Sequence, residues 1–325
     1  MRIFVTGATG FIGQHLCHHL TKQGHHVMAL VRNNNKLCCL PKNNTTIIQG
    51  NLKSFANKNF TIPECDVIIH LAGTITAKKL GDYDQDNHIA VKDLVACIKR
   101  QNWTPKRFIF ASSQAAAGPS HDNKPLTEKD PTNPIDAYGQ AKLKAENFLL
   151  RQKDFATTII RPPSVIGPLD TNILNMFKIA RSGFGFLGGT NPMPMSYIAL
   201  SDLIKAIDLL CDDATTANRI YFVAHLQPTT SLDLWKAVGK ALNKNVKVFI
   251  LPKFLLYTTM KCNTLFSRLL RTNNIFDKKY YDQIHAAGWL VSSKKLSQDF
   301  RWEAKQTLDD ALKETYESYV KAGWL

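Results

Sequence analysis

Tyr138 and Lys142 lie four residues apart in Tyr138-Gly139-Gln140-Ala141-Lys142, near the start of a helical pattern over 135–151. That spacing puts the phenol and the ammonium on one helix face. A neighbouring positive charge stabilises phenolate, lowers the tyrosine's pKa and suits it to move a proton near neutral pH. Ser112-Ser113 follows the apolar run Arg107–Ala111, which reads as a strand. A hydroxyl at the carboxyl end of a parallel strand can hold a substrate oxygen while the phenol transfers the proton.

A second constellation opens the chain. The strand pattern Arg2-Ile3-Phe4-Val5 leads into Thr6-Gly7-Ala8-Thr9-Gly10-Phe11-Ile12-Gly13 and then into a helix. Gly7 permits a tight turn, Gly10 lets the main chain approach a pyrophosphate, and Gly13 lets the helix press on the strand. Its G-x-x-G-x-x-G spacing departs from the commoner fingerprint, so the signal rests on the strand–turn–helix setting. The helix should turn Phe11, Leu16 and Leu20 inward and stop at Gly24.

These groups need elements to position them. Apolar runs at His26–Val31, 46–49, 67–71, Arg107–Ala111 and 157–160 alternate with helical patterns, clearest at 84–99 and 135–151. Such alternation predicts an α/β fold with a doubly wound parallel sheet covered on both faces. After Pro162-Pro163 the alternation fades into a segment rich in Gly and Pro, followed by a helix pattern at 202–210. We read a Rossmann domain over 1–165 with a returning strand near 220–224, and a smaller substrate-binding lobe over 166–325. A length of 325 residues with 44% hydrophobic side chains supports two such lobes.

Five motifs then stand in register: T-G-A-T-G-F-I-G at 6–13, H-L-A-G at 70–73, F-A-S-S at 110–113, Y-G-Q-A-K at 138–142 and I-R-P-P-S-V-I-G-P at 160–168. Together they resemble the extended short-chain dehydrogenase/reductases, the NAD-dependent epimerase/dehydratase family. The resemblance is strong over the first half and fainter through 197–203 and 288–302. It implies Ser113, Tyr138 and Lys142 as the catalytic set, with Ser112 in reserve and Lys142 also bonding the nicotinamide ribose. It implies cofactor contacts from Gly7, Thr9, Gly10, Phe11, Ile12 and Gly13, from Asn51 and Leu52 at the adenine, and from Leu71, Ala72 and Gly73 under the cofactor's middle. Pro162 to Val165 would line the nicotinamide side.

Arg32 ends the second strand where an acidic residue ordinarily holds the adenine ribose of NAD. Arginine pairs instead with a 2′-phosphate, which favours NADP and leaves NAD as the alternative. Family dehydratases place an acidic pair after the catalytic hydroxyl, whereas Ser113 precedes Gln114-Ala115-Ala116-Ala117. Many family epimerases carry an asparagine after the arginine that Arg161 matches, whereas this chain has Pro162-Pro163-Ser164. The first expectation is hydride transfer between NADP(H) and a carbonyl or alcohol. The alternatives are a nucleotide-sugar epimerase with tightly held NAD, and a non-catalytic NADP(H)-binding structural or sensor protein. By resemblance, helices over 84–101 and 135–153 would pair two copies into a homodimer.

The net charge of +15 is spread, with 21 basic and 12 acidic residues in 1–165 and 20 and 14 in 166–325, so no nucleic-acid partner is expected. Ten basic residues face only Asp277 within 236–279, interleaved with apolar groups. The stretch 249–271 could hold an anionic substrate, rest weakly on a membrane surface, or pack as a helix with a solvated basic face, the commonest fate of such patterns. Seven cysteines form no C-x-x-C pair, no metal-ligand spacing occurs, and Met1-Arg2 enters the first strand directly. The expected compartment is the cytoplasm.

Overall fold

The structure, a computed structural model, describes all residues except 78, 189–190, 214–216, 253, 255 and 259–277, with 278–280 described by their backbone alone. Six apolar runs form the strands β1 (Arg2–Thr6), β2 (His26–Val31), β3 (Thr45–Gln49), β4 (Val67–His70), β5 (Arg107–Ala111) and β6 (Ala156–Arg161). They pair in parallel in the order β3-β2-β1-β4-β5-β6, and the strand Arg219–Phe222 completes the sheet beside β6. β4, β5 and β6 are buried at every position, as parallel strands covered on both faces must be. Chain order runs outward from β1 to β3, then crosses back to β4. The carboxyl ends of β1 and β4 therefore border the crevice where doubly wound sheets take ligands.

Helix α1 (Phe11–Lys22) follows β1. α2 (Leu80–Asp84) and α3 (Ala90–Arg100) are joined without a break by a π-helical turn at Gln85–Ile89, and α4 (Ala137–Leu149) precedes β6. α1 buries Gly13, Leu16, Cys17 and Leu20. Phe11 is only half-buried, edge-on to His15, because the first helical turn lies over the glycine turn rather than over the sheet. One face of the sheet packs Phe4, Ile68, Phe108 and Phe110 against Val91, Leu94 and Ile98 of α3 and Ala145 and Leu149 of α4.

The chain divides into two units, Met1–Ala116 with Ala137–Arg161 and Ile204–Tyr221, and Ala117–Asp136 with Pro162–Leu203 and Phe222–Leu325. The second contains β7 (Ser164–Ile166), parallel to β10 (Tyr197–Ala199), and β9 (Pro194–Met195). It also contains α5 (Leu174–Ala180), β8 (Phe184–Gly188) and the first residues of α6 (Leu200–Cys211). With Arg219–Phe222 counted as β11, β12 (Thr229–Thr230) pairs antiparallel with β9, and β13 (Lys247–Leu251) runs parallel to β8. α7 (Ser231–Ala241) starts on a Thr230/Asp233 capping box, and α8 (Lys278–Ile284), α9 (Lys294–Phe300) and α10 (Leu308–Lys321) follow. Phe177, Trp235, Leu312 and Tyr319 form the centre of this unit's core.

Beside that core, Asp170 is buried, its carboxylate accepting from Asn172 N at 2.8 Å and its carbonyl from the Tyr319 hydroxyl. Burial pushes its carboxyl up to about 6. Folding therefore favours the protonated acid: this contribution is fully present below the ordinary aspartate pKa and is lost as pH rises through about 6. Asp170→Asn keeps an acceptor for Asn172 and removes the ionisation. Urea melts should show the variant more stable than the parent by up to about 3 kcal/mol at pH 7.5, the difference vanishing near pH 4. A difference that is constant across that range contradicts the assignment.

Candidate active site

The glycine turn is fixed by close main-chain approach. Gly7 takes φ +71°, and a Cβ there would lie 2.9 Å from Ala72 N, so the turn rests on the backbone that leaves β4. A Cβ on Gly13 would come within 2.0 Å of Gly7 O, so only glycine lets α1 start against the turn. Gly10 N donates to Gly7 O at 2.9 Å, and Gln14 N to Gly10 O at 3.0 Å. Gly10 itself is exposed, its added Cβ meeting nothing but Gly7 O within 4 Å. α1 has no side-chain cap and no acidic residue in its first turn, so its leading N–H groups are left to an anion. Thr9, Phe11 and Ile12 lie on the same turn, half-buried. The cradle fits a dinucleotide pyrophosphate.

Across the crevice, Thr6 accepts from Ala72 N at 3.2 Å and bonds His70 Nδ1 at 2.9 Å, which ties the ends of β1 and β4 together. His70 is fully buried and stacked on Phe110, and burial, with Lys142 nearby, pulls it down to about 3, so the imidazole is neutral. Gly73 provides room of another kind: a Cβ there would be 2.4 Å from Asn87 Oδ1 and 3.3 Å from Lys142 Nζ. Leu71, Ala72 and Gly73 thus form a floor one backbone thick between the glycine turn on one side and Asn87 and Lys142 on the other.

Tyr138, Lys142 and Glu146, at successive four-residue steps of α4, are all buried. Lys142 Nζ donates to Ala111 O at 2.8 Å and lies 4.8 Å from the Phe110 ring centroid and 5.9 Å from that of Tyr138. Burial lowers its pKa to about 8, partly offset by Glu146. Glu146 accepts from Arg161 Nε at 2.9 Å and Nη2 at 2.5 Å, and Ser112 donates its hydroxyl to the same carboxylate. Ser113 is half-buried, its Oγ accepting from Ala115 N at 3.1 Å, and Ala115 packs against Tyr138. The two serines therefore differ: Ser112 completes a buried charge network, while Ser113 is half-buried and bonds Ala115 N, two residues on, whose side chain packs against Tyr138.

Arg32 lies exposed at the end of β2, and its carbonyl accepts from Gln49 Nε2 at 3.3 Å. Asn51 caps the short helical turn Leu52–Ala56, its side chain accepting from Lys53 N at 2.9 Å, and Leu52 is half-buried beside it. All these residues belong to the first unit, whereas Pro162 and Val165 fall in the second, Val165 on β7. Among the described residues, no cluster of His, Cys, Asp or Glu could hold a metal ion, and no helix is long and apolar enough to cross a membrane. Most of the basic stretch 249–271 lies outside the described residues.

Two polar residues at the site were not singled out from sequence. Glu146 had a signal, the same four-residue step that links Tyr138 to Lys142. Asn87 had none, because the π-turn at Gln85–Ile89 that aims it cannot be read from periodicity. Its Nδ2 donates to Thr74 O at 3.0 Å and Tyr83 O at 2.9 Å, and its buried Oδ1 has no hydrogen-bond partner.

Known proteins place this arrangement. The NAD dependent epimerase/dehydratase family matches residues 3–224. The chain is 24% identical over 335 residues to a UDP-glucose 4-epimerase of Vibrio cholerae, covering 98% of this chain and 96% of that one. It is also 24% identical over 325 residues to a ceramide reductase of Caulobacter vibrioides, covering 99% and 96%. Among solved structures, a UDP-glucuronic acid 4-epimerase from Bacillus cereus in complex with NAD superposes with a TM-score of 0.78 at 18% identity, over 100% of both chains. With its seven-strand Rossmann sheet and a family match over most of its length, this chain belongs to the NAD dependent epimerase/dehydratase family, as an NAD(P)-dependent enzyme of the extended short-chain dehydrogenase type.

Proposed function

We propose that the chain is a net carbonyl reductase that uses NADPH. One observation carries the cofactor choice: no carboxylate occurs before Glu64, so β1, β2, β3 and α1 contain none, and Arg32 stands exposed where NAD enzymes keep an acid. A 2′-phosphate meets only cations and amides there. The family's other option, an epimerase that retains NAD, is favoured by the Vibrio cholerae relative. It requires the dinucleotide to stay bound to the protein through purification.

The turn amides at Gly10 to Gly13 would hold the pyrophosphate, Arg32 the 2′-phosphate, Asn51 and Leu52 the adenine, and Lys142 the nicotinamide ribose. When bound, the nicotinamide exchanges a hydride with the carbonyl carbon. Ser113 holds the carbonyl oxygen and Tyr138 donates the proton to it. Lys142 stabilises the phenolate left behind, and the Ser112–Glu146–Arg161 network keeps α4 seated on β5 and β6. The same roles run in reverse for alcohol oxidation. The cytoplasm suits this reading, supported by six described cysteines that are all free thiols.

Tyr138→Phe should lower kcat at least about a hundredfold while NADPH affinity stays within about threefold of the parent, measured by steady-state kinetics and fluorescence titration. Ser113→Ala should follow it in direction. Unchanged turnover in the tyrosine variant contradicts the proton-donor role. Lys142 holds its charge below its pKa of about 8, so the rate of carbonyl reduction should fall as pH rises through that value; a rate still climbing there contradicts the role of the lysine. Arg32→Asp should move the ratio of NADP to NAD affinity toward NAD by about tenfold or more. An unaltered ratio removes the basis for NADPH.

A further inference from the structure

The β8–β13 ribbon of the second unit presents an aromatic face to solvent. Phe184, Phe186 and Phe249 are 45%, 43% and 48% exposed. Phe249 lies 5.9 Å from Phe184 and 6.3 Å from Phe186, centroid to centroid, so the three rings form one cluster. The parallel register sets Phe249 beside Phe186 and Lys247 beside Phe184, which puts a lysine on the same face as the rings. The opposite face is anchored: Gly185 packs flat on Trp235, Leu187 and Val248 enter the core, and Trp235 Nε1 donates to Phe186 O at 2.9 Å. The phenylalanines are thus held outward on a fixed ribbon, at positions where a strand alternates burial with exposure.

Along the sequence, the stretches that contain both strands are basic. No carboxylate occurs between Asp170 and Asp202, which bracket β8, or between Asp233 and Asp277, which bracket β13. The two stretches hold two and eight lysines and arginines. Lys244 and Lys247 flank the start of β13, both exposed, while Lys240 is neutralised by Asp309. A clustered apolar face beside exposed lysines matches an anionic lipid headgroup layer: rings enter the acyl boundary and ammonium groups stay with the phosphates. We propose that the Phe184–Phe186–Phe249 face, with Lys244 and Lys247, docks this protein on the surface of anionic bilayers. This contact does not depend on which carbonyl the enzyme reduces.

Flotation with phosphatidylcholine vesicles, alone or mixed with phosphatidylglycerol, tests the contact, with thermal melts and NADPH titration as controls for folding. The protein should float with the anionic vesicles, float less with the neutral ones, and be released by salt. Phe184→Ser with Phe249→Ser should lower partitioning about tenfold or more. Lys244→Glu with Lys247→Glu, both at exposed positions, should lower it roughly twentyfold or more on anionic vesicles, the melts checking the loss of the Lys244 Nζ bond to Arg181 O. Absence of binding at low salt overturns the proposal, as does binding that neither pair of substitutions weakens. A dimer seen by light scattering and dissociated by the phenylalanine substitutions also overturns it, assigning the face to a second copy of the chain.

Discussion

The contact on which the site depends is the one between Gly13 and Gly7. A methyl group on Gly13 would lie 2.0 Å from the Gly7 carbonyl oxygen, well inside any non-bonded separation. Glycine therefore sets where α1 begins, and the start of α1 sets where its unpaired N–H groups point. The same turn rests on Ala72, so it also fixes the height of the β4 floor. That floor is one backbone thick at Gly73, with Lys142 and Asn87 immediately beyond. A shift in the first turn would travel straight to the catalytic helix.

On the far side of that floor the protein buries four chemically costly groups together. Lys142, Glu146 and Arg161 are almost wholly removed from water, and His70 is neutral beside them. Breaking one member of such a set strands the others, which makes the arrangement rigid. Rigidity serves the reaction, since a lysine that must polarise a phenol cannot be free to reach solvent. Burial also brings Lys142 down to about 8, well below the value of a surface lysine. Ser112 satisfies the carboxylate of this set, and so differs from Ser113, whose hydroxyl lies outside it.

Much of this was legible in the residues. The glycine turn and the buried strands declare themselves because sterics and period leave few choices: β5, apolar at every position after Arg107, reads as an inner strand. The four-residue step from Tyr138 to Lys142 is a local property of α4 and survives folding unchanged. What escaped was non-local or irregular. Asn87 is aimed by a π-turn that no apolar period announces, and the different fates of Ser112 and Ser113 depend on Glu146, 34 residues further along the chain. The exposure of Phe184 is likewise set by the ribbon, because alternation on β8 assigns Gly185 and Leu187 to the core.

The account reduces to an anion cradle at the first turn, and Gly10 tests it most directly, because it takes φ −82°, which any residue can adopt, and an added Cβ there presses only on Gly7 O, at 3.1 Å. In Gly10→Asp a carboxylate would occupy the place of the pyrophosphate. Equilibrium titration of NADPH, followed by its own fluorescence, should show saturable binding to the parent and a loss of affinity of about a hundredfold or more in the variant, at an unchanged melting temperature. Equal affinity in the two proteins would mean that the dinucleotide binds elsewhere and that this turn is only a joint in the fold.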